Sequence, residues 1–490
     1  MAMRITEVVP SPKGFCGEEY VRWFAPTLFF GDYKEPAETF AAYAKKGLDL
    51  EILLAASPAA ETEGIYLLTD LSYAKGEYKL TAGEDGRILL RAADREGIRY
   101  GLATLLQMTK NAQGKLQVQV GTVWDQPDSS YRGLMIDCAR SRHALPLLLE
   151  YIDLCWLYKV KYLQLHFSDD EAYTLPSKVF PDATSPDRCY TYAEIETLRA
   201  YARSRDVEIV PEIDAPGHAT YLQQKYPAVF GDKGIICFHE HTIRAMQSLY
   251  RELCELFPES QYIHIGGDEG RMGWWLDCDE CIRYGRSLGY KEENEAPGIP
   301  GREYVMLQYL GRFISEMAQT VLDCGKKPIV WEGFSKYVND RIPKNITVMV
   351  WDGSFQSAQS LLESGFSIIN CSWIPNYIVT PTWYYGIRDC YNWDVYSFGS
   401  ISEHSAYYQN TTRISPTKAV LGGQLHAWGD TVEKAFSSLE AGLADEQMKI
   451  RQRLPYIMEN TWNRDKQRSF DQIRDGAEAA DELCGRILGK

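Results

Sequence analysis

The stretch Gly133-Leu134-Met135-Ile136-Asp137-Cys138-Ala139 is a short apolar run that opens a repeating pattern. An amphipathic segment from Leu145 to Tyr158 follows it, then a second run, Tyr162-Leu163-Gln164-Leu165-His166-Phe167. Short runs that are apolar nearly throughout read as strands buried on both faces, and an amphipathic segment between two of them reads as a crossover helix. The alternation continues through Glu208–Asp214, Tyr262–Asp268, Pro328–Gly333, Thr347–Gly353, Ser367–Trp373 and Ala419–Trp428, with helical segments at Tyr192 to Ser204 and His241 to Phe257. Eight such units predict an α/β chain folded as a (β/α)8 TIM barrel; a doubly wound open sheet with insertions is the competing architecture.

Residues 1–128 follow a different rhythm. Tyr78-Lys79-Leu80-Thr81 and Arg87 to Ala92 flank a Glu84-Asp85-Gly86 turn, the pattern of a hairpin, and Gly97 to Lys110 carries helical apolar spacing. Asp125-Gln126-Pro127-Asp128 reads as a linker. The expected organisation is a small α+β domain over 1–128 and a barrel over 129–490, whose last fifty or so residues form charged helices on the barrel exterior.

Composition narrows the function. The 490 residues carry a formal charge of −15, which disfavours nucleic acid and anionic membranes as partners. The uncharged stretch from Ser364 to Ile387 contains Pro375, Pro381, Asn370 and Asn376, so no membrane segment is expected. Met1 to Pro10, with Arg4 and Glu7, lacks the apolar core of a signal peptide, and a cytoplasmic location is expected for the chain as it stands. Twelve cysteines are scattered, several inside strand-like runs (Cys138, Cys237, Cys371), as reduced core thiols would be. Cys278 and Cys281 form one CxxC, but His239 and His241 lie about forty residues upstream, outside the usual ligand spacing, so no metal is expected. The 12 Trp and 32 Tyr suit core packing and equally suit stacking on sugar rings.

Barrel active sites lie at the C-terminal ends of the strands. Those ends carry Asp137 to Arg140, His166 to Asp170, Glu212 to His218, His264 to Glu269, Trp331-Glu332, Trp351-Asp352, Trp373 to Tyr377 and His426 to Asp430. Gly285-Arg286-Ser287-Leu288-Gly289 matches a nucleophile-elbow pattern, but it follows a helical stretch and reads as a helix terminus. No phosphate-binding loop or dinucleotide fingerprint follows a strand, and no cofactor is expected. Carboxylates among aromatics suit cleavage of a glycosidic bond. Asp268 and Glu269 are adjacent, and neighbouring strand residues point to opposite faces. Gly266 and Gly267 relax the backbone there, so both acids are expected to reach one pocket; the alternative is a strand-end turn with solvated acids.

From residue 75 to about 465 the chain resembles the family 20 β-N-acetylhexosaminidases. The resemblance rests on His264-Ile265-Gly266-Gly267-Asp268-Glu269, supported by Arg132 to Asp137 with Arg140, by His166 to Asp170, and by Pro211-Glu212-Ile213-Asp214-Ala215-Pro216-Gly217-His218. It implies that Glu269 is the general acid and base, with a pKa raised by burial and acidic neighbours. It implies a nucleophile supplied by the substrate's own 2-acetamido oxygen, with Asp268 holding the amide nitrogen and Tyr377 the acetamido oxygen. Trp331, Trp351 and Trp428 would wall the pocket, Arg140 and Asp430 would bind ring hydroxyls, and Asp169 and His218 would orient and tune Glu269. The implied partner is a glycan ending in an N-acetylhexosamine.

Two positions depart from the family pattern. Tyr377-Ile378-Val379 stands where many members carry Tyr-x-Asp or Tyr-x-Asn, and Trp428-Gly429-Asp430 stands where Trp-x-Glu is common. Both bear on the sugar's fourth and sixth positions. The segment Trp383 to Phe398 and the pair Trp274-Trp275 either shape the leaving-group side or pack loops. The alternatives to simple exo-cleavage are release of a disaccharide, action on a sulfated sugar, and sugar binding without catalysis.

Overall fold

The computed structural model describes residues 5–58, 62–291 and 298–490; residues 1–4, including the Arg4 read above, lie outside them. Eight parallel strands close on themselves: β1 (Tyr131–Asp137), β2 (Tyr162–His166), β3 (Glu208–Glu212), β4 (Tyr262–His264), β5 (Lys327–Trp331), β6 (Thr347–Val350), β7 (Ser367–Asn370) and β8 (Val420–Ala427). Each pairs with the next in chain order, and β8 returns to β1 with Leu425 beside Leu134, so the sheet has no edge. This is the TIM barrel, and each of the eight apolar runs contributes one strand. β1 and β2 are buried at every position, as strands with helices outside and packed side chains inside must be. The helix Tyr192–Ser204 starts with a reciprocal capping box between Thr191 and Glu194, which satisfies two of its free backbone donors.

The barrel interior is aromatic at one end and polar toward the other. Tyr131 and Tyr162 stack at 4.5 Å, with Tyr262 set edge-on against both. Above them, Gln424 donates to Gln164 at 2.7 Å, and Gln164 donates to Glu212 at 2.7 Å. A buried polar chain of this kind is tolerated when its members find partners, and it then fixes side-chain orientation. It leads from the barrel floor to the strand ends where the acids lie.

An eight-stranded mixed sheet, running from Gly14–Phe24 to Lys115–Asp125, precedes the barrel. It contains the expected hairpin of Tyr78–Ala82 and Arg87–Ala92. The helix Arg95–Met108 is buried along nearly its whole length between this sheet and the barrel. Its Arg99 donates to the carbonyls of Val160 and Asp206 at 2.8 and 3.1 Å.

Helix Leu439–Trp462 packs on the outside of β8 and β1. The last helix, Phe470–Leu488, differs from the expected barrel-exterior position. It lies mainly against helix Lys34–Leu48 of the N-terminal region, presenting Ile473, Ala477, Ala480, Cys484 and Ile487 as one apolar stripe. Gly47 permits the approach: a β-carbon there would stand 2.6 Å from Leu483. Among the described residues no helix is long and apolar enough to cross a membrane.

Candidate active site

β4 is short and ends at His264, and the chain then turns sharply. Gly266 and Gly267 adopt φ of 70° and 116°, values that side chains resist, and a β-carbon on Gly266 would meet Asp214 Oδ1 at 1.8 Å. The turn breaks the alternation of a regular strand. Asp268 and Glu269, although adjacent, both face one cavity of about 310 Å³ at the C-terminal mouth of the barrel. That volume lies at the small end for ligand pockets and suits a single sugar ring.

A chain of charged groups rises to Glu269 from below. Arg140, at the end of β1, pairs with Asp137 at 3.0 Å and Asp169 at 2.8 Å. Asp169 also accepts from His166 Nε2 at 2.8 Å. His218 donates Nδ1–H to Asp169 Oδ1 and Nε2–H to Glu269 Oε2, each at 3.2 Å. Burial alone would lower the His218 pKa, but its hydrogen bonds to Asp169 and Glu269 outweigh this and hold it well above the ordinary value. The expectation of a raised pKa for Glu269 is corrected here. The hydrogen bond from His218 lowers the carboxyl below the usual range, because its nearest group is a cation and its side chain is 57% exposed into the cavity mouth. Both shifts favour an imidazolium facing a carboxylate across this contact.

Asp268 sits deeper. Burial raises its pKa, and burial together with the Asp268 charge raises that of Asp214 well above the carboxylate norm. The two carboxyls and the His218 imidazole offer atoms within 4.8 Å of one another. Two acids this close share a proton more readily than they ionise together. Asp268 Oδ1 is buried and has no hydrogen-bond partner among the described residues. An acceptor left so costs about 1–3 kcal/mol, which a ligand N–H placed there would recover.

The opposite wall is aromatic. Trp351, Trp373, Tyr377 and Trp428 face the acids, and Trp383 and Ile401 extend the wall outward. Trp373 stacks on Tyr377 at 4.8 Å, and Trp383 meets Trp373 edge-on at 6.2 Å. Trp351 is aimed by its indole N–H, which donates to the Glu332 carbonyl at 2.8 Å. The Glu332 carboxylate accepts the backbone N–H groups of Gly353, Phe355 and Gln356, which pins the loop behind that indole. Arg140 lies over the Trp428 ring at 5.1 Å, with Asp430 3.7 Å away, so one cation and one acid stand side by side at the rim.

The structure thus brings Arg140, Asp169, His218, Asp268, Glu269, Trp351, Tyr377, Trp428 and Asp430 around one cavity. Trp331 is the correction. Its side chain is 1% exposed and lies one layer below, where its indole N–H donates to Glu212 at 2.7 Å and its ring packs 6.0 Å from Trp428. It points into the barrel interior as a support for the wall. Asp214, His166, Trp373 and Ile401 line the cavity without having been assigned a role, and Trp383, which opens the segment read as shaping the leaving-group side or packing loops, lines it as well. Strand parity offered a signal for Asp214: Glu212 points inward, and the residue two further on shares its face. Val379, one of the two departures, also lines the cavity and makes that edge apolar.

Known proteins share this fold. Residues 130–463 match the model of the catalytic domain of glycosyl hydrolase family 20, and residues 27–126 match that of the family's domain 2. A β-hexosaminidase of Akkermansia muciniphila is 28% identical over 330 residues, covering 60% of this chain and 63% of that protein. One from Vibrio furnissii is 27% identical over 341 residues, covering 62% of this chain and 53% of that protein. The chain therefore matches about half to three fifths of the length of these relatives. The exo-β-N-acetylglucosaminidase of Vibrio harveyi, solved with N-acetylglucosamine, superposes with a TM-score of 0.80 at 20% identity, over 99% of this chain and 78% of that one. The β-N-acetylhexosaminidase of Bacteroides fragilis superposes with a TM-score of 0.74 at 20% identity, over 95% and 92%. With the catalytic-domain match running from the first barrel strand into the helix behind the last, this chain belongs to glycosyl hydrolase family 20.

Proposed function

We propose that the chain is an exo-acting β-N-acetylhexosaminidase that removes terminal β-linked GlcNAc or GalNAc with retention of configuration, using the substrate's acetamido oxygen as nucleophile. The observation that carries this reading is the buried, unpartnered Asp268 Oδ1, set beside Glu269 and opposite the indole wall. An acetamido group whose N–H donates to Asp268 lies between Trp351, Trp373 and Trp428, with its carbonyl toward Tyr377. That carbonyl attacks the anomeric carbon, the bond to the leaving oxygen breaks, and an oxazolinium ring forms. Asp268 then faces the positive charge developing on the amide nitrogen.

Glu269 gives its proton to the leaving oxygen and later takes one from the attacking water. In the resting pair that proton sits on His218. Seating a sugar over Glu269 displaces water from an otherwise exposed carboxyl, raises its pKa, and draws the proton across the 3.2 Å contact. Asp169, held by Arg140 and His166, keeps the imidazole aimed. The other acids are engaged elsewhere: Asp169 by Arg140, and Asp214 by Asp268.

The test is hydrolysis of aryl β-GlcNAc, β-GalNAc and β-glucoside by wild type and Glu269→Gln. Turnover of both amido sugars with an inert glucoside is expected. The substitution is expected to slow hydrolysis of a poor leaving group by about 10²–10⁴. Absence of turnover on any 2-acetamido sugar would contradict the proposal.

A further inference from the structure

The loops leaving β3 and β4 meet again behind the cavity. The segment from Pro216 to Phe238 folds back on itself, with Ile236 N–H donating to the Pro216 carbonyl at 2.9 Å. The turn Met272–Asp277 and helix Asp279–Ser287, both downstream of Glu269, pack against it. Trp275 fastens the two, its indole N–H donating to the Ile236 carbonyl at 2.8 Å. At this seam the sulfurs of Cys237, Cys278 and Cys281 converge to within 4.8 Å of one another. All three are free thiols. Phe238 N–H donates to Cys281 Sγ at 3.1 Å, a contact that stabilises a thiolate.

We propose that Cys237, Cys278 and Cys281 bind a zinc ion. Three converging thiolates are the soft ligands that structural zinc prefers, and they supply three corners of its tetrahedron. With Zn–S near 2.3 Å, tetrahedral geometry separates the sulfurs by about 3.8 Å, within the observed limit. Each thiol that ligates the ion releases its proton to solvent. In the linear sequence Cys237 stands about forty residues from the CxxC, a spacing outside the usual zinc patterns. The fold removes that distance by laying one strand-end loop on the next.

The role is mechanical. One loop carries His218 and the other carries Asp268 and Glu269, and they touch above the metal site. A β-carbon on Gly217 would stand 2.7 Å from the Asp268 carbonyl. A metal joining Cys237 to Cys278 and Cys281 therefore staples together the two segments whose contact positions the acid.

The test is zinc content of the full chain, purified without added metal and measured by plasma mass spectrometry. One zinc ion per chain is expected, released by a mercurial thiol reagent and lost in Cys278→Ser and in Cys281→Ser. If those variants fail to fold, the wild type still decides. Metal-depleted protein given Co²⁺ alone is expected to develop thiolate-to-cobalt charge-transfer bands and the visible bands of tetrahedral cobalt. No retained zinc together with no such bands would overturn the proposal, as would a disulfide joining any two of the three cysteines. None of these readouts depends on glycoside turnover, so they stand apart from the function proposed above.

Discussion

His218 and Glu269 meet at 3.2 Å, and both hold a left-handed backbone, with φ of 49° and 44°. Non-glycine residues enter that region at a cost of order 1–3 kcal/mol each, and persist there only when their surroundings demand it. Here the demand is visible. His218 is fixed by Asp169, and Glu269 follows two glycines whose lack of side chains lets the chain turn against Asp214. The strain is stored at the contact between these two side chains.

That contact sets a pH dependence. On the proposed mechanism the proton needed by the leaving group is held by His218, whose folded pKa is raised, so it is retained below that value and lost as pH climbs through it. The basic limb of kcat/KM should fall above the ordinary histidine value of about 6.5. In His218→Asn the cation is gone, Glu269 titrates as an isolated carboxyl, and the basic limb should move to the acid side of that value. A pH–rate profile of both proteins checks this; unchanged limbs would remove His218 from the proton path.

Asp268 is expected to matter most where the amide becomes charged. Asp268→Asn keeps the shape but removes the negative charge, and should cut kcat by about 10²–10³, the usual loss for one electrostatic contact to a transition state. KM should change less. Single-substrate kinetics on aryl β-GlcNAc separates the two parameters, and a loss confined to KM would count against the assigned role.

The rim should set sugar preference. Asp430 stands 3.7 Å from Arg140, whereas Val379 offers no hydrogen bond from its side chain. Asp430→Ala should raise KM for both aminosugars. Val379→Asp should alter the ratio of kcat/KM between a 6-hydroxy sugar and its 6-sulfated counterpart, disfavouring the sulfate by added negative charge. A ratio unaffected by Val379→Asp would place that side chain away from the sugar.

Trp331 should behave as a support. Trp331→Phe deletes the donor to the fully buried Glu212 and should lower stability by about 1–3 kcal/mol. Its effect on kcat/KM should stay within about tenfold, equivalent to roughly 1.4 kcal/mol. Thermal unfolding alongside kinetics tests the split, and a large kinetic loss with intact stability would return Trp331 to the cavity wall.

The barrel was legible because a parallel strand covered on both sides leaves an unbroken apolar run, and eight such runs admit few architectures. The strand ends were legible for the same reason: carboxylates and indoles stop those runs abruptly. Depth was not. Trp331 and Trp351 stand at equivalent strand ends, yet one indole turns inward to Glu212 and the other toward the cavity, a difference set by neighbouring strands. Charge state was not legible either. Glu269 has an acidic neighbour in sequence, but its nearest partner in space is His218, contributed by another strand. The final helix shows the same limit, since its apolar stripe says that it packs and not on what. The three-cysteine seam is the extreme case, a cluster with no linear trace beyond one CxxC.

The measurement that bears most directly on the account is the rate of aryl glycoside hydrolysis as the substrate's N-acetyl group is replaced by mono-, di- and trifluoroacetyl. If the amide oxygen is the nucleophile, braced by Asp268, kcat must fall steeply with each fluorine, because each withdraws electrons from the attacking atom. A rate indifferent to fluorination would mean that some other group attacks, and would contradict the account.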